Sequence, residues 1–162
     1  MPEGRIGFIV DAPLEASWSL FLDASHWALC IPGCKSVTRI SDTEWDGEFE
    51  VRVLHTSRTV LGRLQAVDIT PSTSIRYQGK GELREGFHRY GLTLGAEMRL
   101  EALPDGKTTV RFAGQVAAKG LGGAIINKIV SSKMDEMTRG FEQNVRKILE
   151  KDHSILEKGT PP

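Results

Sequence analysis

Residues 119–151 read KGLGGAIINKIVSSKMDEMTRGFEQNVRKILEK, and their pattern decides the fold. After the opening Lys119–Gly123 the run has no proline and one glycine, Gly140. Its apolar residues Ile126, Val130, Met134, Met137, Phe141, Val145 and Ile148 recur every three or four positions, the spacing of one helix face. At about 1.5 Å per residue such a helix is roughly 40 Å long, more than a small domain needs for packing alone. A stripe of that length requires a partner surface to cover it. Beyond Lys151 the periodicity is lost, and residues 152–162 are expected to fray as a tail.

Upstream of the helix the period changes from 3.6 to 2. Leu92, Leu94, Ala96, Met98, Leu100 and Ala102 alternate with polar residues or glycine, as in a strand with one buried face. Pro104-Asp105-Gly106 supplies a hairpin turn, and Val110, Phe112, Gly114 and Val116 return along a partner strand. Trp45, Gly47, Phe49, Val51 and Val53 alternate with carboxylates, which read as the solvent face of a strand rather than as a calcium or catalytic cluster. Val60, Gly62, Leu64 and Ala66 begin another strand, closed by Thr70-Pro71-Ser72, and Ile75 with Tyr77 marks the next. The stretch from Gly79 to Gly91 reads as a glycine-studded connection, with His88 and Tyr90 on a loop. Short loops throughout favour an antiparallel meander.

The N-terminal part adds a strand over Arg5–Val10 and two short helices. The first starts at Asp11-Ala12-Pro13, and the second is capped by Asp23 and ends near Ile31-Pro32-Gly33. The class is therefore α+β, one domain over residues 1–151. A curved antiparallel sheet of six to seven strands wraps the long helix, and the two short helices follow the first strand. A curved sheet cannot fill its own concavity, so helix and sheet need not touch everywhere. Glycines 47, 62, 79, 81, 95 and 114 lie in or beside strands, where bends and close approaches occur.

Composition narrows the classes of function. The 162 residues carry 21 Lys plus Arg and 21 Asp plus Glu, leaving no net field to attract nucleic acid. There is no secretory leader and no long uncharged apolar run, so a cytoplasmic location is expected. Cys30 and Cys34 follow His26 at spacings of four, but Pro32 interrupts any helix that would align them, so no metal is expected. No nucleophile elbow, phosphate loop or zinc-protease motif is present, and no catalytic residue or cofactor is assigned.

Asp23 to Cys34, with Trp27 and Ile31-Pro32-Gly33-Cys34, resembles the signature of CoxG, the G-subunit family of carbon monoxide dehydrogenase. That family belongs to the START and Bet v 1-like (SRPBCC) superfamily, whose fold is the helix grip. Asp68-Ile69-Thr70-Pro71, Gly79-Lys80-Gly81-Glu82 and Thr109 through Gly123 follow in the expected order. Two departures stand out. Glu82 to Tyr90 is charged and includes His88, and the apolar C-terminal tail of some relatives does not follow before Pro162, so at most peripheral membrane contact is expected.

The resemblance implies a cavity that holds a hydrophobic, lipid- or quinone-like molecule. Its walls would be Phe49, Val51, Val53, Leu64, Tyr77, Met98, Leu100, Val110 and Phe112 from the sheet. Ile126, Val130, Met134, Met137 and Phe141 would face them from the helix. His55, in phase with Val53, could offer a ligand carbonyl a hydrogen bond or act as acid or base. The implied role is carrier or accessory factor for a carbon monoxide dehydrogenase or related molybdenum hydroxylase. The alternative is a polyketide cyclase-like enzyme using His55 or His88 with Tyr77.

Overall fold

The computed structural model describes residues 3–53, 55–120 and 122–158, and for Val53 and residues 151–158 the backbone alone. The chain begins with strand β1 (Glu3–Val10), helix α1 (Leu14–Leu22), helix α2 (Ala24–Trp27) and a 3₁₀ turn (Ala28–Cys30). Six strands follow: β2 (Cys34–Ser41), β3 (Glu44–Val53), β4 (Thr56–Thr70), β5 (Ser74–Glu85), β6 (His88–Ala102) and β7 (Thr108–Ala118). Helix α3 (Gly123–Lys158) ends the described chain, and residues 159–162 of the expected tail lie outside it.

All seven strands form one antiparallel sheet in the order β1-β7-β6-β5-β4-β3-β2, the α+β helix-grip arrangement expected from the alternating and helical runs. The connection expected from Gly79 to Gly91 is instead strand and hairpin. Leu83 pairs with Tyr90 and Glu85 with His88, and only Gly86 and Phe87 make the turn. Gly86 has φ +58°, which a side chain would disfavour, and this is why the ladder can reverse there so tightly. His88 and Tyr90 thus belong to β6, His88 being exposed.

Helix α3 is tied to the sheet at several heights. Asn127 accepts a hydrogen bond from the Ala118 amide at 2.8 Å, Asn144 donates to the Cys30 carbonyl at 2.8 Å, and Arg146 donates to the Ile9 carbonyl at 2.7 Å. Gly140 lets the Pro32 ring rest on the helix, since a Cβ there would lie 2.5 Å from Pro32 Cγ. Helices α1 and α2 close one end. The Asp23 carboxylate accepts from the Ser25 amide at 2.9 Å and from Trp45 Nε1 at 2.8 Å, so one side chain caps α2 and pins it to β3. Burial opposes ionisation of Asp23, but the hydrogen bonds from Ser25 and Trp45 outweigh it and hold its carboxyl below the ordinary aspartate range.

Candidate ligand cavity

Two apolar clusters lie between helix and sheet. The larger joins Phe8, Val10, Trp27, Trp45, Met98, Val110, Phe141, Val145 and Leu149. The smaller, at the end nearer the β3–β4 and β5–β6 turns, joins Val60, Leu83, Leu92, Ala118 and Ile126. Between and beside them is a cavity of about 200 Å³.

Its floor is built by absence of side chains. Gly47 pairs with Gly62 and Gly62 with Gly81, a row of three glycines crossing β3, β4 and β5 in phase with the inward residues Phe49, Leu64 and Leu83. Leu94 leans across the row, its Cδ1 only 3.0 Å from where a Gly62 Cβ would stand. Three missing side chains in one row leave the sheet locally too shallow to meet the helix.

Several of the expected residues stand at the cavity. Phe49, Val51, Leu64 and Phe112 line it from the sheet, and Ile126, Val130, Met134, Met137 and Phe141 from the helix. Others do not reach it. Met98, Leu100 and Val110 are in phase with the inner face but lie further along their strands, inside the packed cluster at 1%, 6% and 0% exposure. Tyr77 is fully buried there too, and its hydroxyl donates to the Phe21 carbonyl at 2.7 Å. Desolvation pushes that phenol up to about 12, and its proton is engaged by the Phe21 carbonyl rather than turned to the cavity. His55 falls in the turn after β3 and is exposed, because the strand ends before its phase can carry it inward. The Val53 side chain lies outside the described residues.

The rest of the wall comes from residues outside the expected lining: Val60, Leu83, Leu92, Leu94 and Val116, with Trp27, Ile31 and Pro32 closing one end. An aromatic stack seals that end, with Phe112 and Phe141 rings 4.5 Å apart and Trp27 5.1 Å from Tyr77. Arg58 is a polar member of the wall, as are Glu50, Gln115, Lys133 and Thr138. It lies two residues before Val60, in phase with Val60, Gly62 and Leu64, and so faces inward among apolar walls. Strand parity alone could have found it.

Burial pushes Cys30 up to about 11, with the Cys34 charge adding to it, and burial likewise raises Cys34 to about 11. Among the described residues no cluster of three metal-binding side chains occurs, and no helix is long and apolar enough to cross a membrane. On the opposite face of the sheet a wide, open depression of about 1230 Å³ runs among Arg63, Lys80, Glu97, Arg99 and Arg111. Its charged lining suits solvent rather than an apolar guest.

A curved antiparallel sheet gripping one long helix around an apolar hollow defines the class: a domain of the helix-grip fold. Solved structures of the same fold include a conserved protein from Geobacillus kaustophilus, at TM-score 0.75 and 18% identity over 92% of this chain and 95% of that one. A START superfamily protein from Mycobacterium smegmatis matches at TM-score 0.59 and 15% identity, covering 92% of this chain and 97% of that one. The Zhui aromatase/cyclase of a Streptomyces species matches at 0.60 and 14%, covering 90% and 94%. No curated protein sequence matches the chain. The family model of CoxG, the G subunit of carbon monoxide dehydrogenase, matches residues 7–150, and the chain belongs to that family.

Proposed function

We propose that the domain holds a hydrophobic small molecule, lipid- or quinone-like, between α3 and the sheet. In this reading it serves as carrier or accessory factor to a carbon monoxide dehydrogenase or related molybdenum hydroxylase. The observation that carries the binding reading is the hollow of about 200 Å³ floored at Gly47 and Gly62 and walled mostly by apolar side chains. Close packing is the rule for protein interiors, and a void of this size forfeits contacts unless something fills it. A cavity of about 150 Å³ is known to admit benzene, so this one suits a ring or a short acyl segment, with any longer tail outside. The family supports the partner reading.

Histidines 55 and 88 and Tyr77 do not meet at the cavity, which leaves the cyclase-like alternative without the acid–base group it named. Titration with N-phenyl-1-naphthylamine, a neutral dye that fluoresces in apolar surroundings, tests the binding reading. The expected result is saturable uptake, displaced by a short-chain ubiquinone analogue, and at least tenfold weakened in Val130→Trp, where the indole fills the hollow from the helix side. Uptake unchanged by Val130→Trp, in a variant that melts like the parent, would place the dye elsewhere and remove the reading. Pull-down of the dehydrogenase from native lysate, lost when Pro32 and Gly33 are replaced, tests the partner.

A further inference from the structure

Arg58 sits where an apolar wall would be simpler. Its side chain is 15% exposed, and Nη2 donates to Glu85 Oε1 at 2.7 Å. Nε and Nη1 are buried and have no hydrogen-bond partner among the described residues. A guanidinium never sheds its charge in a protein, and leaving its donors unmet in an apolar surround is costly. Glu85, 39% exposed, takes a hydrogen bond from Nη2 and leaves Nε and Nη1 unmet. Two further charged residues touch the cavity. Lys133, 39% exposed on the helix, stands 4.0 Å from the Glu136 carboxylate, and the Glu50 carboxylate is engaged by Lys35. Among the described residues Arg58 is therefore the charged group at the hollow whose buried donors are left unmet.

We propose that the occupant is an acid: an apolar body of about eight carbons, sized by comparison with benzene in about 150 Å³, bearing a carboxylate that accepts from Arg58 Nη1, one of its two unmet donors. This rests on the binding reading above and specifies it. The apolar body lies over the glycine row against Leu92, Val130 and Met134, and the head faces the end formed by the β3–β4 and β5–β6 turns. A carboxylate brings a charged acceptor to a guanidinium that Glu85 leaves with unmet donors, whereas an alcohol or ketone brings a neutral one. The body is either a straight chain or an aromatic ring system, and the test separates them.

Binding is measured by calorimetry at pH 7 for octanoate against 1-octanol and for 2-naphthoate against 2-naphthol. In the parent protein the acid of at least one pair binds about tenfold or more tightly than its neutral partner, the value of charge-assisted hydrogen bonds in a dry site. The pair with the larger preference identifies the body as chain or ring. Arg58→Met abolishes the preference while still binding the neutral probes. Glu85→Gln, a change at a half-exposed position that removes the competing carboxylate, strengthens acid binding and leaves the neutral probes unchanged. An undiminished preference in Arg58→Met, equal binding of acid and neutral probes by the parent, or weaker acid binding in Glu85→Gln overturns the proposal while the cavity reading stands. Failure of all four probes overturns both.

Discussion

The interface between α3 and the sheet is packed at one end and hollow at the other, although one amphipathic stripe serves both. In the packed half Phe141, Val145 and Leu149 at 2%, 0% and 4% exposure meet large inward side chains such as Phe8, Met98 and Val110. In the hollow half Val130, Met134 and Met137 face a sheet whose corresponding row is glycine. The helix side is similar in both halves, so the sheet decides where there is room. Stability and capacity are thereby separated along a single element: one half holds the fold while the other leaves volume free.

The sharpest way to break this comparison is to truncate a side chain in each half. Met98→Ala in the packed half should cost about 2–5 kcal/mol, and Val130→Ala in the hollow half only about 1 kcal/mol, because no new void forms where one exists already. Equal losses in urea unfolding would mean that the hollow is collapsed in solution. Next in size is Asp23→Ala, which removes the α2 cap and orphans Trp45 Nε1, a buried donor, at a cost of about 2–3 kcal/mol. Its pH dependence has a defined sign. The folded carboxyl titrates below the unfolded one, so the contribution of Asp23 is complete above the unfolded value near 3.9 and fades as pH falls through the folded value. The melting temperature of Asp23→Asn should accordingly converge on that of the parent in acid, and a constant difference would contradict the assignment. The smallest effect belongs to Gly140→Ala. Better helix propensity favours it by about 1 kcal/mol, but the new Cβ would press on the Pro32 ring, so a net loss of about 1 kcal/mol is expected. A higher melting temperature would show that the 31–33 turn yields easily.

The long helix and strand β6 can be read directly, because a run of many residues repeats its period often enough to exclude the alternative. Strand β2 is harder: most of Cys34–Ser41 is exposed and shows no clean alternation. The hairpin through Gly86 reads as a loop because glycines and charges stand where a strand usually shows branched residues, yet both strands continue into it with unbroken pairing. The cavity walls are legible in part for a geometric reason. Parity says which face of the sheet a side chain takes, and it places Phe49, Leu64 and Phe112 as well as Met98, Leu100 and Val110 on the inner one. It says nothing about height along the helix, which depends on register between strands distant in sequence. Only that register separates the hollow residues from Met98, Leu100 and Val110. Arg58 escapes notice because its neighbours Thr56, Ser57 and Thr59 are polar, although its parity with Val60 and Leu64 marks it as inward.

The glycine row gives such a domain a way to diversify. A Cβ at Gly47 would come closest to the Phe49 ring, at 3.1 Å, and one at Gly62 closest to Leu94 Cδ1, at 3.0 Å; both neighbours are side chains that can give way. At Gly81 it would stand 2.8 Å from the Leu61 carbonyl oxygen, so that position is held by the backbone itself. Alanine or a larger residue at the first two would shrink the hollow in graded steps. Its size can thus drift by point changes at Gly47 and Gly62 while the third glycine keeps the architecture constant.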